Sequence, residues 1–237
     1  MSGDRPVKWW PRWRPRVEND VGLSIILAIQ VVVFFIVAPL AAMNLVSAQL
    51  TEGLRFGLAA VTILLVTRRT AIRWAVAAAF AVTLVATIHW HLGQTAVAIG
   101  VARGLATLGF DLVVAGIVAV ATFRPGRVTV HRIMGAVIVY LYIGLIFAAI
   151  YRLLLPFLTP NFAGIPPGSR AEFSSLLYFS LGALTTGGSG DIVALHPVLR
   201  SLSSLESVIG QLFPATLLAR LVSLHGTTRR QTSQEKP

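Results

Sequence analysis

The length and spacing of its apolar runs constrain this chain more than any other feature. An α-helix needs about 20 apolar residues to cross a bilayer core of about 30 Å. The 237-residue chain divides into six runs of that order, at 21–42, 50–67, 71–91, 95–123, 131–156 and 197–224. Hydrophobic residues make up 55% of the sequence and charged residues only 12%, a balance outside the usual range of soluble domains. The expected fold class is therefore an all-α integral membrane protein with six transmembrane helices.

Charge placement orients those spans. Lys and Arg gather before the first span (Arg5, Lys8, Arg12, Arg14, Arg16), between spans two and three (Arg68, Arg69, Arg73), between four and five (Arg124, Arg127, Arg132) and in the tail (Arg229, Arg230, Lys236). Loops rich in cations stay cytoplasmic, so both termini are expected inside, in a multi-pass protein of the inner (plasma) membrane. The net charge of +11 is then an orientation signal. Nucleic acid is not an expected partner, because no segment is long and polar enough to fold into a soluble basic face. Membrane lipid is one, since Trp9, Trp10 and Trp13 lie among the leader's cations and suit a headgroup-level anchor. The first apolar run is too long for the core of a cleaved signal peptide. With no cysteine, disulfides and thiolate metal sites are excluded.

Ionisable groups are sparse in the first four spans. Arg103 and Asp111 stand at membrane depth, where a charge is costly and faces a partner in the bundle interior. Eight positions apart on one helix, they are too distant to pair directly, and Arg55, Arg73 or a polar atom elsewhere are the candidate partners of Asp111. Voltage sensing needs a ladder of cations along one helix, and a lone Arg103 is not one, so no steep voltage gating is expected. His89 and His91, two apart on a helix, point in different directions and make no metal face.

The stretch Leu-Thr-Thr-Gly-Gly-Ser-Gly-Asp-Ile at 184–192 differs in kind. Ahead of it, Ser169-Arg-Ala-Glu172 has capping-box spacing, which predicts a helix over 170–184. At 1.5 Å per residue that helix is roughly 22 Å long, suited to a re-entrant half-helix rather than a full crossing. Irregular backbone at membrane depth is tolerated only where protein buries it or where it lines a wet cavity. Two chemistries fit such a loop: a Gly-x-Ser-Gly turn exposing a serine nucleophile, or backbone carbonyls coordinating a cation. Gly187-Gly188-Ser189-Gly190 matches the first as found in rhomboid-type intramembrane proteases. That arrangement, however, takes its histidine base from a span well after the serine, whereas here Ser189 precedes the last span, with His196 and His225 at that span's two ends.

Residues 131–224 gather more matches to a different family. The order of outer helix, short pore helix, loop and inner helix resembles the pore module of the potassium channel superfamily, bacterial six-span type. Thr185-Thr186-Gly187-Gly188-Ser189-Gly190-Asp191 lies over that family's Thr-Thr-Val-Gly-Tyr-Gly-Asp. Tyr178-Phe179-Ser180 falls where it often has an aromatic pair and a serine, and Gly210 where many members carry a hinge glycine.

The resemblance implies a homotetrameric cation channel, with a re-entrant pore helix and filter loop between helices five and six. Thr186, Gly187, Gly188, Ser189 and Gly190 would form the ion-coordinating filter, with K+ held at Thr186, Gly187, Gly188 and Ser189. Thr185, Asp191, Tyr178 and Phe179 would support the filter, and Ser203, Ser207, Gly210 and Pro214 would supply an inner-helix hinge and cavity. Those four share a narrow stripe that serves a cavity or close helix packing equally well. No cofactor is expected beyond permeant K+, and no enzymatic activity.

Gly187 and Ser189 replace the family's Val and Tyr, and Gly182 stands where some members have a carboxylate behind the filter. A looser filter follows, which keeps a non-selective or silent pore open as alternatives. The expected organisation is a basic, aromatic leader (1–20), a four-helix bundle (21–123), a cytoplasmic linker (124–130), the pore module (131–224) and a cytoplasmic tail (225–237) too short for a ligand-binding domain.

Overall fold

The computed structural model describes residues 20–43, 97–123, 130–165 and 172–234, with isolated residues at 45, 53, 54, 57, 81 and 85. The expected second and third spans lie outside the described residues, as do nearly all of the leader and linker. So do Arg55, Arg73, His89, His91 and the Ser169 cap.

Among the described residues the chain is mostly helical. Helix α1 (Asp20–Val32) passes through a π-helical turn (Val33–Val37) into α2 (Ala38–Ala42). The turn has a local cause in Pro39, which lacks an N–H and whose ring would strike the carbonyl of Phe35 in a regular α-helix. The wider turn avoids this, with the Ala38 N–H reaching back to the Val33 carbonyl.

Helices α3 (Val97–Thr122) and α4 (Val130–Leu154) form an antiparallel hairpin. Gly104 abuts Leu153 at one end and Gly135 abuts Thr122 at the other, so the two backbones approach closely over their whole length. Arg103 and Asp111 of α3 are both buried. A short antiparallel pair, β1 (Phe162–Ala163) with β2 (Val193–Ala194), brackets α5 (Glu172–Leu184), and α6 (Pro197–Gln234) closes the described chain.

Among the described residues, three helices contain segments long and apolar enough to span a membrane: Gly100–Thr122, Arg132–Leu154 and Pro197–Ala219; Ile26–Ala41 is a shorter apolar helix. They coincide with the expected fourth, fifth and sixth spans. Of the membrane window, 61% is buried within the subunit for α4 but only 11% for α6. Among the described residues α4 is thus the central helix, packed by α1, α3, α5 and α6. The core runs from Ile26 and Phe34 through Phe110, Val114 and Val118 to Ile138, Leu145, Tyr151, Leu176 and Phe179. One side of α6, with Leu205, Val208, Leu212 and Leu218, is left uncovered in the single chain.

Candidate ion-conduction site

Helix α5 positions the Gly-rich loop. A helix end leaves its last four carbonyls without intrahelical donors, and here all four find one. The Thr185 amide donates to the Leu181 carbonyl at 3.0 Å, the Gly188 amide to Gly182 at 3.0 Å and the Thr186 amide to Ala183 at 3.0 Å. The Tyr140 hydroxyl of α4 donates to Leu184 at 3.1 Å. Ala183 also accepts from the Ser207 hydroxyl of α6 at 2.8 Å, and Leu181 from the Thr185 hydroxyl at 2.7 Å. The Gly188 tie folds the loop back along the helix. It requires Gly182, where a Cβ would stand only 3.1 Å from the Gly188 carbonyl carbon.

Beyond the helix the backbone alternates in hand. Thr186 (φ 58°), Gly188 (φ 70°) and Gly190 (φ 59°) are left-handed, whereas Gly187 and Ser189 between them are not. Alternation of this kind directs successive carbonyls to one side of the chain and successive amides to the other. For β-branched Thr186 the left-handed region costs about 1–2 kcal/mol, and such strain persists where surrounding structure enforces it, as at functional sites. Among the described residues, no hydrogen bond reaches the carbonyls of Thr186, Gly187 or Gly188, and all three residues are exposed in the single chain.

Ser189 differs from these three. It is buried, its hydroxyl donates to the Ile192 carbonyl at 3.0 Å, and its own carbonyl accepts from the Tyr178 hydroxyl at 3.1 Å and from the Asp191 amide. Tyr178 also lies within hydrogen-bonding reach of the Asp191 carboxylate. The Gly-rich loop contains no tyrosine, and α5 supplies one to it in Tyr178. Phe179 turns away into an aromatic cluster, with ring centroids 5.4 Å from Tyr151 and 5.0 Å from Phe162. Phe162 pairs with Ala194 across the two-stranded sheet, so the cluster ties the segment leaving the filter to α4 and α5.

Of the inner-helix stripe, Ser207 and Gly210 pack on the end of α5. A Cβ at Gly210 would run into the Leu184 backbone. Ser203 is half-buried beside Tyr151 and hydrogen-bonds with it. Pro214 is exposed inside α6, where its missing N–H leaves the Gly210 carbonyl without its helical donor. The hinge glycine and the proline therefore weaken the same turn.

One residue escaped the sequence reading. Glu206, in the middle of the α6 membrane span, is fully buried. It accepts from the Tyr151 hydroxyl at 2.8 Å and from the Ser180 hydroxyl. A lone carboxylate inside an apolar span is itself the signal that marks such a position.

With this geometry in place, residues 135–225 match a protein-family model described as "Ion channel". The match supports the resemblance of this segment to the potassium channel superfamily. No curated protein and no solved structure matches the chain. The matched segment takes in most of α4, the whole of α5 and the membrane-length part of α6.

Proposed function

We propose that the chain is one subunit of a homotetrameric channel of the inner (plasma) membrane that conducts potassium through Thr186-Gly187-Gly188-Ser189-Gly190, with both termini cytoplasmic. The observation that carries this reading is the run of unpaired carbonyls at Thr186, Gly187 and Gly188 on a backbone of alternating hand. Unpaired irregular backbone does not stand against lipid, yet one chain leaves it exposed. Four chains around an axis close it into rings of oxygen that replace an ion's water shell, and the Thr186 hydroxyl adds a ring at the inner end. The uncovered side of α6, with Leu205, Val208 and Leu212, is available for that assembly.

A non-selective cation pore is the second reading, favoured by Ser189. Its carbonyl is engaged by Tyr178 and Asp191, which reduces the number of free carbonyl rings, and selectivity depends on that number. A serine hydrolase has less support. The Ser189 hydroxyl is directed to the Ile192 carbonyl, and His196 Nδ1 accepts from the Val198 amide at 3.2 Å, acting as the N-cap of α6.

The reversal potential of purified protein in a planar bilayer under opposed potassium and sodium gradients tests the reading. A value close to the potassium equilibrium potential is expected. A value near zero selects the non-selective pore. A stable monomer that cleaves membrane peptides, and loses that activity in Ser189→Ala, overturns the channel.

A further inference from the structure

Glu206 does more than fill space behind the pore helix. On α5, Tyr178 and Gly182 touch the filter. Ser180, two residues from each, lies about 200° around the helix and faces away from it. There Ser180 is fully buried, and its hydroxyl reaches both the Gly144 carbonyl of α4 at 2.6 Å and the Glu206 carboxylate of α6. The other carboxylate oxygen takes the Tyr151 hydroxyl of α4. One side chain of α6 thus bonds to α4 and α5 together. Two further contacts follow along α6 from the same point: Ser207 to the Ala183 carbonyl, and Gly210 against Leu184. The three contacts end at the residue before Thr185, where the filter begins.

We propose that Glu206 is a positioning residue for the filter: its carboxylate fixes the pore helix relative to the inner and outer helices and thereby sets the spacing of the Thr186–Gly188 carbonyls. The proposal rests on the channel reading. Removing the carboxylate leaves the buried Tyr151 hydroxyl without its acceptor and the Ser180 hydroxyl with the Gly144 carbonyl alone, and lets the pore helix shift against α6. Ser180 has a single hydrogen for two acceptors. Glu206→Gln keeps an acceptor for Tyr151 and adds a donor for the Ser180 oxygen, freeing the serine hydrogen for Gly144. That variant therefore preserves the network, whereas Glu206→Met, of similar volume, abolishes it.

The test uses the purified full chain reconstituted in planar bilayers, reading the permeability series for potassium, rubidium, ammonium and sodium together with the mean open time. Oligomer size in detergent is followed in parallel. Glu206→Met is expected to change at least one of the two electrical readouts about tenfold, the factor carried by one lost hydrogen bond to a charged group, with oligomer size unchanged. Tyr151→Phe and Ser180→Ala should each give a smaller change, about threefold, because each removes only one of the two hydroxyls that the carboxylate holds. The double variant Glu206→Met/Ser180→Ala should be no worse than Glu206→Met alone, because both remove the same network.

If Glu206→Met does not assemble, Tyr151→Phe and Ser180→Ala carry the test. Assembled variants with both readouts unchanged overturn the proposal, as does Glu206→Gln behaving like Glu206→Met. Wild-type protein with no cation flux overturns the channel reading, and this proposal with it.

Discussion

Helix α5 is held differently on its two faces. Toward the filter it offers one phenol, Tyr178, and the bare backbone of Gly182, each making a single-point contact with the loop. Away from the filter, Ser180, Ala183 and Leu184 are bound by Glu206, Ser207 and Tyr140, and Phe179 is locked into a ring cluster with Tyr151 and Phe162. The Gly-rich loop carries no bulky side chain at Gly187 or Ser189, so most of its stiffness must come from behind. Back-face changes should therefore cost both stability and conduction. Front-face changes should alter conduction at little cost in stability.

The largest expected effect is on the back face. Gly210→Ala drives a methyl into the Leu184 backbone, where main chain cannot swing aside as a flexible side chain would. Overpacking of this kind costs about 3 kcal/mol. Thermal unfolding of the purified protein in detergent should show a markedly lowered midpoint and loss of assembled oligomer. An unchanged midpoint would mean that α6 stands off α5, and the contrast between the faces would fail.

Next comes Gly182→Ala on the front face. Its Cβ would lie 3.1 Å from the Gly188 carbonyl carbon, so the loop must move outward by a few tenths of an ångström, at about 1 kcal/mol. The protein should still assemble, with a changed permeability ratio. Gly188→Ala or Gly190→Ala, at φ 70° and 59°, should each cost about 1 kcal/mol and abolish current while leaving the oligomer intact. Currents of wild-type size and selectivity in both variants would show that ions pass elsewhere.

The sequence was informative where physics acts locally. Run length marked the spans at 95–123, 131–156 and 197–224, and a cap followed by glycines marked the pore helix, whose described part is Glu172–Leu184. What depends on distant partners stayed hidden. Glu206 meets Ser180 and Tyr151 across 26 and 55 residues, and nothing near position 206 announces either hydroxyl. The strands at 162–163 and 193–194 are too short to carry any periodicity. The stripe Ser203, Ser207, Gly210 was legible as a stripe, but whether it faced a cavity or a helix depended on where the end of α5 lay. The π-helical turn before Pro39 is a local effect, although proline alone does not say whether a helix kinks, ends or widens.

The smallest expected effect isolates the front face. Tyr178 is 50% exposed in the single chain, so its ring contributes little to the core, and Tyr178→Phe removes only the hydroxyl that binds the Ser189 carbonyl at 3.1 Å. A neutral hydrogen bond at a half-exposed site is worth about 0.5–1 kcal/mol, so the unfolding midpoint should hardly move. The Ser189 carbonyl keeps the Asp191 amide as donor but loses its tie to the pore helix, and the outer end of the filter then fluctuates more freely. Single-channel recording should show a mean open time shortened about threefold, with oligomer size unchanged. Ser180→Ala, two residues on and on the opposite face, removes a hydroxyl of the same kind. Because that site is fully buried and leaves the Glu206 carboxylate with Tyr151 as its one remaining donor among the described residues, it should lower the midpoint as well. If Tyr178→Phe lowers the midpoint as much as Ser180→Ala does, the two faces share the load and the filter is not braced from behind.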